Sequence, residues 1–158
     1  ARLRSRGLGD VYKRQMMTQS RSVGMELSFA LYGAANRMAR MHKPFLEPLG
    51  LTFPQYLVML RLLNGSPLSV GTLGACLDMD TGTITPLVKR LESAGFVTRT
   101  RDPNDERRVL VDLTPRVESI REEILSVSQK IKSACKLDEA GMIELRDTLR
   151  DLSRPRQD

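Results

Sequence analysis

The sequence predicts a mainly α-helical fold with a small β-hairpin wing, that is, a winged helix-turn-helix flanked by N- and C-terminal helices. Three observations carry this. First, Ile84, Leu87, Val88, Leu91 and Ala94 recur at helical spacing, behind Asp80 or Thr81 as a cap and before Gly95 as a left-handed stop. Second, Phe96 to Thr100 and Val109 to Leu113 read as two strands around the turn Asp102-Pro103-Asn104-Asp105. Third, a short capped helix and a tight connection at Cys76 to Asp80 stand immediately before, which is the order such a fold requires. In this arrangement the helix of residues 81–94 is expected to enter a DNA major groove, with the hairpin reaching the backbone or minor groove beside it.

The remaining elements follow from periodicity and punctuation. Glu26 to Leu49 is predicted as a long helix with a stripe at Leu27, Leu31, Ala34, Met38, Met41 and Phe45, stopped by Pro48 and Gly50. Thr52 with Pro54 starts a second helix carrying Leu57, Leu60 and Leu63 inward, broken by Asn64-Gly65-Ser66-Pro67. Ser69 caps a short helix that buries Val70, Leu73 and Leu77. After the hairpin, Thr114-Pro115 is expected to open another helix as cap and first residue. Val117, Ile120, Ile124, Val127, Ile131 and Ala134 then keep heptad spacing, the mark of a long packed or coiled-coil-like seam. Leu137, Asp138 and Met142 fit a hydrophobic staple around an N-cap, and Leu145, Leu149 and Leu152 continue its apolar face. Residues 16–51 and 115–152 hold more apolar surface than one small reading head, residues 52–114, needs. A homodimer is the natural use, and its two-fold axis predicts a palindromic site with half-sites roughly 34 Å apart. Residues 153–158 read as a polar tail.

Composition narrows the function. The 158 residues suit one integrated domain, and with no Trp and few aromatics its core must be Leu, Ile, Val and Met. No run of about 18 apolar residues exists to span a membrane. Cys76 and Cys135 make no disulfide framework, which points to the cytoplasm, and they read first as small core or surface residues. His42 is the only histidine and has no second ligand at metal-binding spacing, so neither a metal nor a cofactor is expected. With no glycine-rich phosphate loop and no nucleophile–histidine–acid set, an enzyme is not expected either.

The net charge of +6 is a weaker nucleic-acid signal than it looks. Residues 1–15 hold five basic residues (Arg2, Arg4, Arg6, Lys13, Arg14) against Asp10, which leaves only +2 for the rest. Asp10 to Gln15 back-translates as GATGTGTATAAGAGACAG, which resembles the end of a transposase-based sequencing adapter. Residues 1–15 are therefore expected to be a non-native leader ahead of Met16 or Met17. The alternative is a disordered basic arm that grips phosphates.

The run from Leu51 to Leu63, then Leu68 to Thr114 with its pattern DxGTxTPLxKRLExxGxVxRxRDPxDERxVxxxLT, closely resembles the MarR family of dimeric winged-helix regulators. The match is to its organic-hydroperoxide-responsive (OhrR-like) branch and extends over about residues 26–150. The resemblance implies that Thr81, Thr83, Thr85, Pro86, Lys89 and Arg90 touch double-stranded DNA. It also implies that Arg107 enters the minor groove, with Asp105 to orient it and Arg108 as its neighbour. The residue types agree: small hydroxyls allow close approach, Lys and Arg pair with phosphates or guanine edges, and narrow A·T-rich grooves attract guanidinium. The competing reading makes Asp105 and Arg107 a hairpin salt bridge only.

The branch carries a reactive cysteine where this chain has Ser28, within Leu27-Ser28-Phe29-Ala30-Leu31-Tyr32. Two tyrosines that hydrogen-bond that cysteine align with His42 and Phe53. A serine cannot follow the thiolate-to-sulfenate path, so position 28 is not expected to sense peroxide. A small-molecule effector touching Ser28, Tyr32, His42 and Phe53 is one replacement, and oxidation of Cys76 or Cys135 is another. A repressor released by such an effector is the leading expectation; a winged helix kept for protein interaction is the alternative.

Overall fold

A computed structural model, describing residues 5–154, opens on one 42-residue helix, α1 (Ser5–Leu46). The helix starts well before the predicted Glu26. Residues 5–15, which the sequence left open to disorder, continue it, because no proline interrupts them and extending an existing helix costs far less than starting one. A 3₁₀ turn over Glu47–Leu49 follows, and Gly50 at φ 71° ends it. The chain forms two units, Ala1–Pro44 and Phe45–Asp158. In the first, the α1 stripe is largely open: Leu27 is exposed, Leu31 and Met41 are half-buried, and Phe29 and Tyr32 stand out further still.

The second unit holds the winged helix. Its α2 (Phe53–Leu63) starts with a reciprocal capping box: the Gln55 N–H donates to the Thr52 hydroxyl at 3.4 Å, and the Thr52 N–H donates to the Gln55 side chain at 2.9 Å. The face predicted for α2 needs correction. Tyr56, Val58, Met59 and Leu62 are fully buried, whereas Leu57, Leu60 and Leu63 are only half-buried. The helix is apolar nearly all round, so its periodicity does not single out one side. Burial also pushes the Tyr56 phenol pKa up.

A two-residue strand, β1 (Leu68–Ser69), leads into α3 (Val70–Leu77), whose Ser69 cap accepts the Thr72 N–H at 3.0 Å. Leu73 is buried, while Val70 and Leu77 are half-buried, less than predicted. α4 (Thr81–Ser93) and the strands β2 (Val97–Asp102) and β3 (Asp105–Leu113) complete the head. The sheet order is β1-β3-β2, all antiparallel, with Leu68 opposite Val111 and Arg99 opposite Val111 on the other side. β1 has no counterpart in the sequence reading, because two residues are too short to show alternation. Both hairpin strands run further into the turn than predicted, and Phe96 lies just outside β2.

Beyond the sheet the chain departs again from expectation. Thr114 and Pro115 stand as cap and first residue, but of a 3₁₀ segment, Pro115–Ile120, and the Thr114 side chain makes no cap hydrogen bond; α5 (Arg121–Ala134) begins after it. The heptad residues Val117, Ile124, Val127 and Ile131 are buried within this one chain, with α5 set against α2, so most of that seam is intramolecular. α6 (Glu139–Leu152) is capped as predicted, with Asp138 accepting the Gly141 N–H at 2.8 Å, yet it buries no residue. Lys132 on α5 reaches Glu139 at 2.9 Å and holds that carboxyl below its usual pKa, first by the hydrogen bond and then by charge.

Candidate nucleic-acid interface

The site is built on the turn from α3 into α4. Asp78 takes the left-handed conformation at φ 52°, the chain reverses, and Asp80 caps α4 by accepting the Thr83 N–H at 2.8 Å. That cap fixes the first turn, so Thr81, Gly82 and Thr83 face solvent together. Ile84, Leu87, Val88 and Leu91 anchor the opposite side in the core. Of the predicted contact residues, Thr81, Thr83, Pro86, Lys89 and Arg90 are exposed and Thr85 is half-buried. Ala94, placed on the buried stripe by its spacing, is instead an exposed C-cap. Pro86 lacks the N–H that would otherwise bond the Gly82 carbonyl, so this helix forgoes that bond.

The wing is braced by its own acids. Asp102 is buried, accepts the Asn104 N–H at 2.9 Å, and lies 3.5 Å from the Arg108 guanidinium. Asp105 accepts the backbone N–H of Arg107 at 3.1 Å. Asp105 thus bears on Arg107 through its backbone, and among the described residues it makes no salt bridge with the guanidinium, which the competing reading required. Arg101 donates across the turn to the Glu106 carbonyl at 3.0 Å. Arg107 makes no ion pair among the described residues and is exposed.

A groove of about 300 Å³ joins the two parts, bringing Thr81 and Thr85 of α4 beside Gly71 of α3 and Arg99, Arg107 and Arg108 of the wing. Three guanidinium groups over small hydroxyls form a surface for anions. Arg99 was not singled out from sequence. It also binds Glu92 at 2.8 Å and so ties the wing to α4. The available signal was its place on the Val97 face of β2, where a charge interrupts an inward pattern.

The residues proposed for a ligand are more scattered in character. Ser28 is exposed and donates to the Gly24 carbonyl at 3.1 Å. Tyr32 lies one turn on, also exposed, and His42 is buried with Nδ1 2.8 Å from the Met38 carbonyl. Those three belong to the first unit; Phe53, half-buried, opens α2 in the second. Cys76 is exposed and Cys135 half-buried, both as free thiols. Among the described residues no group of three or more His, Cys, Asp or Glu is set to hold a metal, and no helix is long and apolar enough to cross a membrane.

The family model described as MarR family matches residues 51–109. The organic hydroperoxide resistance transcriptional regulator of Bacillus subtilis is 36% identical over 124 residues, 78% of this chain and 84% of its own length. The chain belongs to the MarR family. Its relatives include the regulator MgrA of Staphylococcus aureus, 35% identical over 130 residues, 82% of this chain and 88% of that protein. Among solved structures, reduced AbfR bound to DNA superposes with a TM-score of 0.73 at 31% identity, covering 87% of this chain and 99% of that one. As a MarR-family member the chain is a transcriptional regulator and not an enzyme.

Proposed function

We propose that this regulator is a homodimeric repressor of the OhrR-like branch that reads a palindromic operator and is released by a small-molecule effector, not by oxidation at position 28. One observation carries the reading: the outward face of α4 and the unpaired Arg107 border a single arginine-lined groove. The exposed apolar faces of α1 and α6 support the dimer, and a partner paired through them would set two reading helices about one duplex turn apart. Ligand release then requires that the effector prefer one dimer geometry over the other.

Selection of bound sequences from a random DNA pool at fixed salt tests the function. A palindrome is expected; recovery of no preferred sequence would favour a protein-interaction role. With the selected site in hand, Arg107→Ala is expected to weaken binding by on the order of 1–3 kcal/mol and to flatten the salt dependence. Unchanged affinity and salt slope would remove Arg107 from the interface.

The effector claim rests on position 28. A serine hydroxyl engaged with the Gly24 carbonyl offers no sulfur to oxidise. Cumene hydroperoxide is therefore expected to leave the protein–DNA complex intact. Release by peroxide that disappears in Cys76→Ser or Cys135→Ser would establish a redox regulator instead, a reading favoured by the exposure of Cys76.

A further inference from the structure

Three consecutive carbonyls at the C-terminal end of the reading helix are all held by one short segment on the far side of the wing. The Thr114 hydroxyl donates to the Gly95 carbonyl at 2.6 Å and lies 3.3 Å from that of Phe96. The Thr114 N–H donates to the same Phe96 carbonyl at 3.0 Å. Arg116 donates from its guanidinium to the Ala94 carbonyl at 2.5 Å, and the same group stacks over the Phe96 ring at 5.0 Å. A cation at a helix C-terminus is favoured by the helix dipole, and a guanidinium over an aromatic face adds a second attraction. Gly95, at φ 81°, is required for its left-handed backbone, and a Cβ there would also press on the Arg116 guanidinium at 3.1 Å.

The position of this segment gives the contacts a consequence. Residues 114–116 begin the 3₁₀ run that leads into α5. They do not merely cap α4; they join its end to the start of the C-terminal helices. The hydrophobic core fixes α4 along its inner face, but these polar contacts fix its end against rotation about that face.

We propose that Thr114 and Arg116 are positioning residues for DNA reading, a latch that makes the orientation of α4 follow that of α5. The proposal rests on the DNA-binding reading above. Neither residue faces the groove at Arg107, so neither is offered as a DNA contact. Arg116 is exposed, so its loss opens no cavity in the core, although it uncovers the Phe96 ring on which it stacks.

The test uses the full chain with Cys76 and Cys135 replaced by serine and spin labels at Ser93 and Lys130, two exposed positions on α4 and α5. Pulsed electron-paramagnetic-resonance distances, thermal midpoints and affinity for the selected DNA are measured on the same samples. Arg116→Ala is expected to broaden the α4–α5 distances and to weaken DNA binding on the order of tenfold, with the midpoint lowered by a few degrees and the unfolding still cooperative. Arg116→Lys, which keeps the charge but loses the planar stack, should fall between the two. Thr114→Val, which removes only the hydroxyl, serves as an independent second variant and should shift distances and affinity in the same direction. Unchanged distances in both Arg116→Ala and Thr114→Val would overturn the latch. Broadened distances in a chain that binds no DNA at all would leave the latch standing and remove the DNA-reading assignment instead.

Discussion

Replacing Leu145 and Leu149 with glutamate is expected to leave the chain monomeric and to reduce its affinity for a palindromic site by two orders of magnitude or more. α6 is a 14-residue helix that buries none of its residues within the chain, yet Leu145, Leu149 and Leu152 remain 44–48% exposed along one face. A helix of that length is marginal on propensity alone, so it needs a covering surface. Each leucine buried on association contributes about 1.5–3 kcal/mol, and two-fold symmetry counts each substitution twice. A glutamate there adds the cost of desolvating a charge. Loss of the second head then removes the gain from linked binding, on the order of 10²–10⁴. Analytical ultracentrifugation with a parallel DNA titration measures both effects. A dimer that survives at micromolar concentration would assign this face to another partner and move the two-fold axis elsewhere.

The same α6 face shows what the sequence could convey. Apolar residues at helical spacing were legible as apolar faces in α6 and along much of α1, and those faces are largely exposed in the single chain. α4 was legible for a related reason: its apolar and polar faces are cleanly separated, and Asp80 and Gly95 mark its ends. The failures share a different cause. α2 has only Gln55 and Arg61 to mark a polar side, so the inward set was misjudged. Thr114 has the right type for a cap, but a carbonyl eighteen or nineteen positions earlier in the chain takes its hydroxyl instead. The heptad run in α5 left a packed face and a coiled-coil-like seam both open, because spacing reports that a face is covered, not by which chain. Residue types left open whether Asp105 orients Arg107 or pairs with its guanidinium; the tight turn brings the Arg107 N–H closer and leaves that guanidinium exposed. Local propensity was readable in each case; competition from distant groups was not.

That competition is sharpest at Gly74, where the substitution to alanine is expected to destabilise the fold. In an ordinary helix the change would gain up to about 1 kcal/mol. Here the chain doubles back so tightly that the Met79 N–H donates to the Gly74 carbonyl at 2.9 Å. An added Cβ would stand 2.8 Å from the Met79 carbonyl oxygen and 3.3 Å from Ile84, which is itself fully buried. The oxygen belongs to backbone locked between the left-handed Asp78 and the Asp80 cap, so it cannot swing aside as a flexible side chain would. Relief requires α3 and α4 to separate, and overpacking of this kind costs about 1–3 kcal/mol. For a chain of this size that is a fall of roughly 3–10 °C in the thermal midpoint. Since the displaced element is the reading helix, DNA affinity should fall with it. Gly24→Ala provides the matched control: it also lies within a helix, but nothing stands within 4 Å of its added methyl. It should be neutral or raise the midpoint slightly. If Gly74→Ala behaves in the same way as Gly24→Ala, α3 and α4 do not meet as closely as the geometry requires, and the anchoring of the reading helix must lie in its apolar face alone.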